Sequence, residues 1–238
     1  MTKERKSSAE RSLLVFIGTR TQSGSRGIYS LRLDPASGRL SAPVLAAESV
    51  NPTFLALHPN RRFLYAVGEI SDPAGQSGGG LRAFAIGPEP GRLTPLNQAP
   101  SGGAGPCHLT VDATGRCLLA ANYRSGSVAA LAIRPDGRLT EPATVLQHAG
   151  AGIHPVRQQG PHAHSVNLDP ANRLALVADL GLDKLMVYRL DPARAALTPH
   201  EPAFVPFPPG SGPRHLAWHP DGTRAYVCNE LNNTVSAL

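Results

Sequence analysis

The sequence predicts an all-β fold, a β-propeller of four-stranded antiparallel blades, and three observations carry that prediction. A strand–turn–strand unit recurs four times, with Pro59, Ala113, Pro170 and Pro220 at its turns and intervals of 54, 57 and 50 residues between them; a repeat near 50 residues marks a propeller or a related array. Each unit is joined by two further apolar segments, such as Leu81-Arg82-Ala83-Phe84 followed by the turn Gly91-Arg92-Leu93, which makes four strands per unit. Helical signal is nearly absent, because 24 glycines and 23 prolines punctuate the 238 residues and no stretch keeps a 3.6-residue apolar period for three turns.

Taken in order, residues 1–12 (MTKERKSSAERS) are charged and polar without an apolar period and are expected to form a disordered tail, leaving 13–238 as the propeller. Leu13-Leu14-Val15-Phe16-Ile17 is too short for the core of a signal peptide and lacks a cleavage pattern, so it reads as a strand. Residues 13–19 are expected to be the N-terminal strand through which such rings close.

The repeat units run from Asn51-Pro52-Thr53 to Gly68-Glu69, from Gly105-Pro106-Cys107 to Asn122-Tyr123, from Gly160-Pro161-His162 to Asp179-Leu180, and from Gly212-Pro213-Arg214 to Asn229-Glu230. In the last unit His219-Pro220-Asp221-Gly222 is the turn, since Pro presets φ and Asp and Gly accept unusual backbone angles. That turn folds Arg214 back beside Asn229 and Glu230. Two stretches break the period, 71–80 and 148–159, and both are expected to be surface loops. Residues 232–238 read as the opening of the next blade's outer strand. A closed ring needs every blade, because each buries its apolar face on its neighbour. About four to five blades are therefore expected here, an incomplete part of a larger ring, and the chain reads as a fragment of a longer one.

Composition narrows the function. The net charge of +6 is modest, and its arginines are scattered through turns rather than gathered into a stripe, which argues against nucleic acid and favours small anionic ligands. No run approaches the roughly 18 apolar residues of a membrane helix. Three cysteines, Cys107, Cys117 and Cys228, are an odd number without metal-ligand spacing, which points to a reduced, cytoplasmic protein. No cofactor is implied, and nothing in the sequence fixes an oligomeric state.

Aligning the units separates a constant interior from a variable rim. Leu55, Leu109, Val166 and Leu216 are equivalent, as are Leu57, Val111, Leu168 and Trp218, and all are apolar. At the rim, Thr53, Cys107, His164 and Arg214 share one position, and Phe54, His108, Ser165 and His215 the next. At the far end of the hairpin Glu69, Tyr123, Leu180 and Glu230 correspond, preceded by Gly68, Asn122, Asp179 and Asn229. If the first strand of each unit is innermost, these side chains converge on one mouth of the central channel, where such folds carry their function. Structural roles compete with catalytic ones: Arg214 and Glu230 can form an ion pair within a blade, and His108 and His215 can bond backbone. His162 and His164 share one strand face, but no third ligand has diagnostic spacing, so no metal is expected. Cys107 has no implied helix N-terminus to lower its pKa, and no Gly-x-Ser-x-Gly elbow occurs.

An ordered set of motifs carries a more specific resemblance. Gly18-Thr19, Asn51-Pro52, Leu57-His58-Pro59, Pro106-Cys107-His108-Leu109, Pro161-His162-Ala163-His164-Ser165-Val166, Asp179-Leu180-Gly181-Leu182-Asp183-Lys184, Gly212-Pro213-Arg214-His215 and Asn229-Glu230-Leu231 together resemble the seven-bladed β-propeller lactonase family over residues 13–238. That family includes propeller-type 6-phosphogluconolactonases and is related to fungal carboxymuconate-lactonizing enzymes. The resemblance implies a hydrolase that opens a sugar-acid lactone, 6-phosphogluconolactone in the pentose phosphate pathway, with a small anionic sugar lactone as partner. It implies a catalytic set of one His, two Arg and one Glu. His164, Arg214 and Glu230 match three of these, and the second Arg is expected in a later blade. His108, His162, His215, Asn122 and Tyr123 are then candidates for binding hydroxyls or phosphate. A lactone-forming muconate cycloisomerase and a non-catalytic binding scaffold are the alternatives.

Overall fold

A computed structural model describes residues 12–69 and 80–238. Those residues form five antiparallel sheets, each built from strands consecutive in sequence. The first holds β1 (Leu13–Ile17), β2 (Gly27–Leu33) and β3 (Val44–Glu48). The second holds β4 (Leu55–Leu57), β5 (Phe63–Gly68), β6 (Gly80–Ile86) and β7 (Leu93–Ala99). The third comprises β8 (Pro106–Val111), β9 (Cys117–Asn122), β10 (Ser127–Ile133) and β11 (Leu139–Gln147), and the fourth β12 (Ala163–Leu168), β13 (Leu174–Asp179), β14 (Lys184–Asp191) and β15 (Ala196–Pro206). The fifth contains β16 (Pro213–Trp218), β17 (Ala225–Asn229) and β18 (Thr234–Ala237). The blade architecture read from the repeat is the one observed. Among the described residues the only helical element is a 3₁₀ turn over Thr21–Ser23.

Packing explains the sequence pattern. The inner blades press both faces against neighbours, so their second strands are buried along nearly their whole length, whereas β17 of the fifth sheet, covered on one face, alternates buried and exposed residues. All six residues of β5 (FLYAVG) and of β9 (CLLAAN) are buried. Four apolar clusters fill the four gaps between successive sheets: Ile28 with Leu64 and Phe84, Tyr65 with Leu118 and Leu131, Leu119 with Val166 and Val177, and Leu185 with Leu216 and Val227. Truncating Leu118 or Leu119 to Ala is expected to cost about 2–5 kcal/mol. The outer β11 instead alternates half-buried and exposed residues after Leu139, as a strand at the rim of the disc should. Of the positions expected to stay inside, Leu57 is the exception and is exposed.

Side chains from the turns stitch one blade to the next. His58 Nε2 donates to Gly115 O at 2.9 Å, the Ala113 amide donates to Asn172 Oδ1 at 2.9 Å, and Trp218 Nε1 donates to Leu168 O at 2.7 Å. His58 is thus a turn residue that also bridges blades.

Two expectations change, and two lie outside the described residues. The tail, apart from Ser12, and the insertion 71–80, apart from Gly80, lie outside the described residues. Residues 234–237 do not open a further blade: β18 pairs with β17 and is the third strand of the fifth sheet. The insertion 148–159 is not a plain surface loop. His148 and Gln158 are buried, and His148 Nδ1 lies 2.5 Å from Asp179 Oδ2. Gln158 Nε2 donates to Leu180 O and to Asp183 Oδ1, each at 2.8 Å. The polar side chains with no place in the apolar repeat are the ones that pin this segment to the fourth blade.

Candidate functional site

The strands β4, β8, β12 and β16 are adjacent around the axis, so the first strand of each unit is innermost. Two backbone devices then aim the rim residues. The β8–β9 pairing slips between Pro106 and His108, β12–β13 between Ala163 and Ser165, and β16–β17 between Pro213 and His215. Cys107, His164 and Arg214 are therefore bulged residues, outside the ladder and free to face the axis; bulges re-aim side chains in this way next to functional sites.

The second device sets the far end of the hairpin. Asn51, Gly105 and Gly212 adopt positive φ (42°, 64° and 63°), the left-handed region that Gly and Asn reach most readily. Their carbonyls accept the amides of Glu69, Tyr123 and Glu230 at 3.0, 2.9 and 2.8 Å. The same turn geometry thus presents a glutamate in two blades and a tyrosine in a third.

These residues enclose a cavity of about 530 Å³ whose wall includes His164, Arg214, Glu230, Arg157, Tyr123 and His215. The three residues predicted to carry the chemistry meet there. Arg214 Nε donates to His164 Nε2 at 3.1 Å and lies 2.8 Å from Glu230 Oε2. Because His164 Nε2 accepts, the ring proton sits on Nδ1, which is buried and has no hydrogen-bond partner among the described residues. Burial, and then the charges of Arg214 and His215, push the His164 pKa down to about 4. The ring is a neutral base at pH 7. Burial alone would raise the Glu230 pKa, but the hydrogen bond and charge of Arg157, together with Arg214, hold it below the ordinary carboxylate value. The terminal amino groups of Arg214 make no hydrogen bond among the described residues and are free to meet an anionic oxygen.

Arg157 is a cavity residue that the sequence alone did not single out. Its Nη2 donates to Glu230 Oε1 at 2.5 Å and to the Tyr123 hydroxyl at 3.1 Å. A second guanidinium thus reaches the site from the inserted segment 148–159, whereas the resemblance placed the second arginine in a later blade. The only signal in the sequence was that this insertion runs directly into His162-Ala163-His164.

The five expected binding residues separate. Tyr123 and His215 line the cavity. Tyr123 stacks on His162 with ring centroids 4.5 Å apart and meets His164 edge-on at 5.3 Å. His162 Nδ1 donates to Tyr123 O at 2.9 Å, and its ring lines an adjoining hollow with Arg124 rather than the main cavity. His108 is buried behind the wall, 4.0 Å from the Phe54 ring; its Nδ1 accepts the Val166 amide at 3.3 Å. Burial, and then the neighbouring His215 and His164, push its pKa down to about 3. Asn122 is also placed away from the cavity. It is fully buried and its Nδ2 donates to Ser101 O at 3.0 Å and Ser127 Oγ at 3.2 Å. Both read as frame rather than ligand contacts. Cys107 touches the cavity, but burial and then the Glu69 charge push its thiol up to about 12, and its Sγ faces His164 O at 3.2 Å. It is no thiolate nucleophile at neutral pH.

An all-β propeller thus gathers an imidazole from β12, guanidinium groups from β16 and the segment 148–159, and a carboxylate from the end of β17 on the wall of one cavity. The family described as "Lactonase, 7-bladed beta-propeller" matches residues 14–238, and the chain belongs to it. A 6-phosphogluconolactonase of Bacillus subtilis (strain 168) is 42% identical over 223 residues, which is 94% of this chain and 61% of that protein. Among solved structures, a Bacteroides fragilis protein provisionally identified as a 6-phosphogluconolactonase superposes with a TM-score of 0.90 at 34% identity, over 98% of this chain and 65% of the other. A periplasmic gluconolactonase of Pseudomonas aeruginosa superposes with a TM-score of 0.84 at 35% identity, over 95% of this chain and 67% of the other. The chain spans about three fifths of the length of the Bacillus subtilis relative.

Proposed function

We propose that this propeller hydrolyses a sugar-acid lactone, 6-phosphogluconolactone to 6-phosphogluconate, a step of the pentose phosphate pathway. One observation carries the reading: Arg214 stands between His164 Nε2 and Glu230 Oε2, at 3.1 and 2.8 Å, on the wall of one cavity. A lactone is an ester, and its hydrolysis needs a positioned water, a base and a cation for the developing oxyanion. The names of the relatives and the positive charge of the cavity's arginines favour an anionic sugar lactone. The three cysteines, all unpaired, favour the reducing cytoplasm.

His164 is the base. Its Nε2 lone pair is engaged by Arg214, so Arg214 first turns its guanidinium onto the lactone carbonyl. The departure of that charge from the ring also removes one cause of the low His164 pKa and strengthens the base. Water then adds to the carbonyl carbon and its proton passes to Nε2. The tetrahedral oxyanion is held by Arg214, whose position Glu230 fixes. Collapse breaks the bond between the carbonyl carbon and the ring oxygen, and the imidazolium returns its proton to that oxygen. Glu230, kept ionised by two arginines, orients Arg214 and does not serve as the acid.

The test is turnover of 6-phosphogluconolactone, followed through the 6-phosphogluconate formed, by the protein and its His164→Ala and Arg214→Ala variants. Both variants should lose at least about a hundredfold in kcat. Hydrolysis retained within a few-fold removes these residues from their roles. Turnover of muconate lactones in place of sugar lactones would favour the cycloisomerase reading.

A further inference from the structure

The cavity has a second carboxylate, and it is built like the first. Glu69 sits at the repeat position of Glu230, and Thr53 at the position of Arg214. Thr53 Oγ1 donates to Glu69 Oε2 at 2.7 Å, within one blade as Arg214 meets Glu230. A guanidinium from outside the blade completes each pair: Arg157, from the segment between the third and fourth blades, on Glu230, and Arg20, from the first blade, on Glu69, with Arg20 Nη2 3.1 Å from Oε1 and 3.2 Å from Oε2. The placement is firm. Asn51 accepts the Glu69 amide, its Nδ2 donates to Glu69 O at 3.1 Å, and its Oδ1 accepts both the amide and the hydroxyl of Thr21 at 2.9 and 3.0 Å. One side chain thus fixes Glu69 and the segment that carries Arg20.

We infer that Glu69, held between Thr53 and Arg20, is a hydroxyl-recognising subsite for a polyhydroxylated ligand, facing the cavity from the second blade while the reacting groups face it from the fourth and fifth. The inference rests on the proposed function and deepens it. The two carboxylates differ in one respect that decides their roles. Glu230 is beside an imidazole and an arginine with free terminal donors. Glu69 has a threonine where Glu230 has that arginine, and among the described residues its side-chain hydrogen bonds run to Thr53 and Arg20. It has no acid–base partner among those residues, but it is an acceptor with lone-pair capacity beyond Thr53 and Arg20. Hydroxyls of a sugar are donors, and a carboxylate beside an arginine offers an acceptor and a donor to two neighbouring hydroxyls. A site built to bond a hydroxyl discriminates strongly against an analogue that lacks it.

The experiment is a cycle between protein and ligand. The kcat/KM values of the protein and of Glu69→Gln are measured on glucono-δ-lactone and its 2-, 3- and 4-deoxy analogues. Binding of gluconate and the matching deoxy acids is measured by calorimetry. The change from Glu to Gln is isosteric, and Arg20 is mostly exposed, so the fold should survive; Thr53→Val is the second variant, and melting temperatures check both. At least one deoxy analogue should lose about tenfold or more with the unaltered protein. Glu69→Gln should lose a similar factor on the parent and be indifferent to that one deletion, with Thr53→Val weaker in the same direction. Glu69→Gln within threefold of the unaltered protein on the parent, or losses that multiply for every analogue, would overturn the inference. Binding with this pattern but no lactone turnover keeps the subsite and removes the reaction. Neither binding nor turnover removes both.

Discussion

Arg157 and Glu230, 73 residues apart in the chain, share a 2.5 Å hydrogen bond at the edge of the cavity. One comes from a segment inserted between blades and the other from the end of a repeated hairpin. Arg157 also holds the Tyr123 hydroxyl, so a single guanidinium ties the third, fourth and fifth blades together at the site.

Replacing Arg157 by Ala should therefore act through Glu230. With the Arg157 hydrogen bond that holds it down gone, the Glu230 pKa rises, and Arg214 loses its fixed partner. A loss of about tenfold in kcat/KM, equivalent to about 1.4 kcal/mol, is expected. The acid limb of the pH–rate profile should move to higher pH, and Arg157→Lys should recover part of the activity. An unchanged profile would mean that Arg157 only packs.

The pH dependence of the intact protein follows from His164. Its folded pKa is about 4, below the ordinary value near 6.5. The base form of the free enzyme persists well into acid, so kcat/KM should fall only as pH approaches about 4. Stability takes the same sign: between about 6.5 and 4 the unfolded chain binds the proton and the folded chain does not, so stability drops as pH falls through that window. His108, pushed down to about 3, adds to the same slope. Denaturant titrations at pH 7 and 5, against a His164→Gln variant, check it.

Arg214→Lys should not be conservative. The guanidinium reaches His164 and Glu230 through Nε and leaves two terminal donors free, a geometry that a single ammonium cannot reproduce. About a hundredfold loss in kcat is expected, with a smaller change in KM. Steady-state kinetics on the same lactone decide it.

Asn122→Ala should cost stability rather than binding. Its side chain is fully buried with two donated bonds, so about 1–3 kcal/mol is at stake. KM should stay within twofold. A large rise in KM with unchanged stability would return Asn122 to the binding site.

The repeat made the fold and half of the site legible. The equivalence of Thr53, Cys107, His164 and Arg214 could be read because turn residues fix each hairpin's register, and the structure shows that this one position is bulged in three blades. His108 and Asn122 were polar residues at rim-adjacent positions, but pattern alone does not tell a side chain facing the axis from one turned between strands. Arg157 and the pair His148–Asp179 were illegible for another reason. They lie on, or anchor, a segment outside the period, and the path of such a segment is set by long-range polar bonds that no local spacing encodes. Arg20 was hidden similarly: its position beside Glu69 depends on Asn51 bonding Thr21.

The unpaired bulge residue has one more implication. Because it contributes nothing to the ladder or to the apolar layers between blades, thiol, imidazole and guanidinium have each been lodged in that slot without disturbing the scaffold. New reactivity could be installed by relettering a single codon per blade, with the architecture left to look after itself.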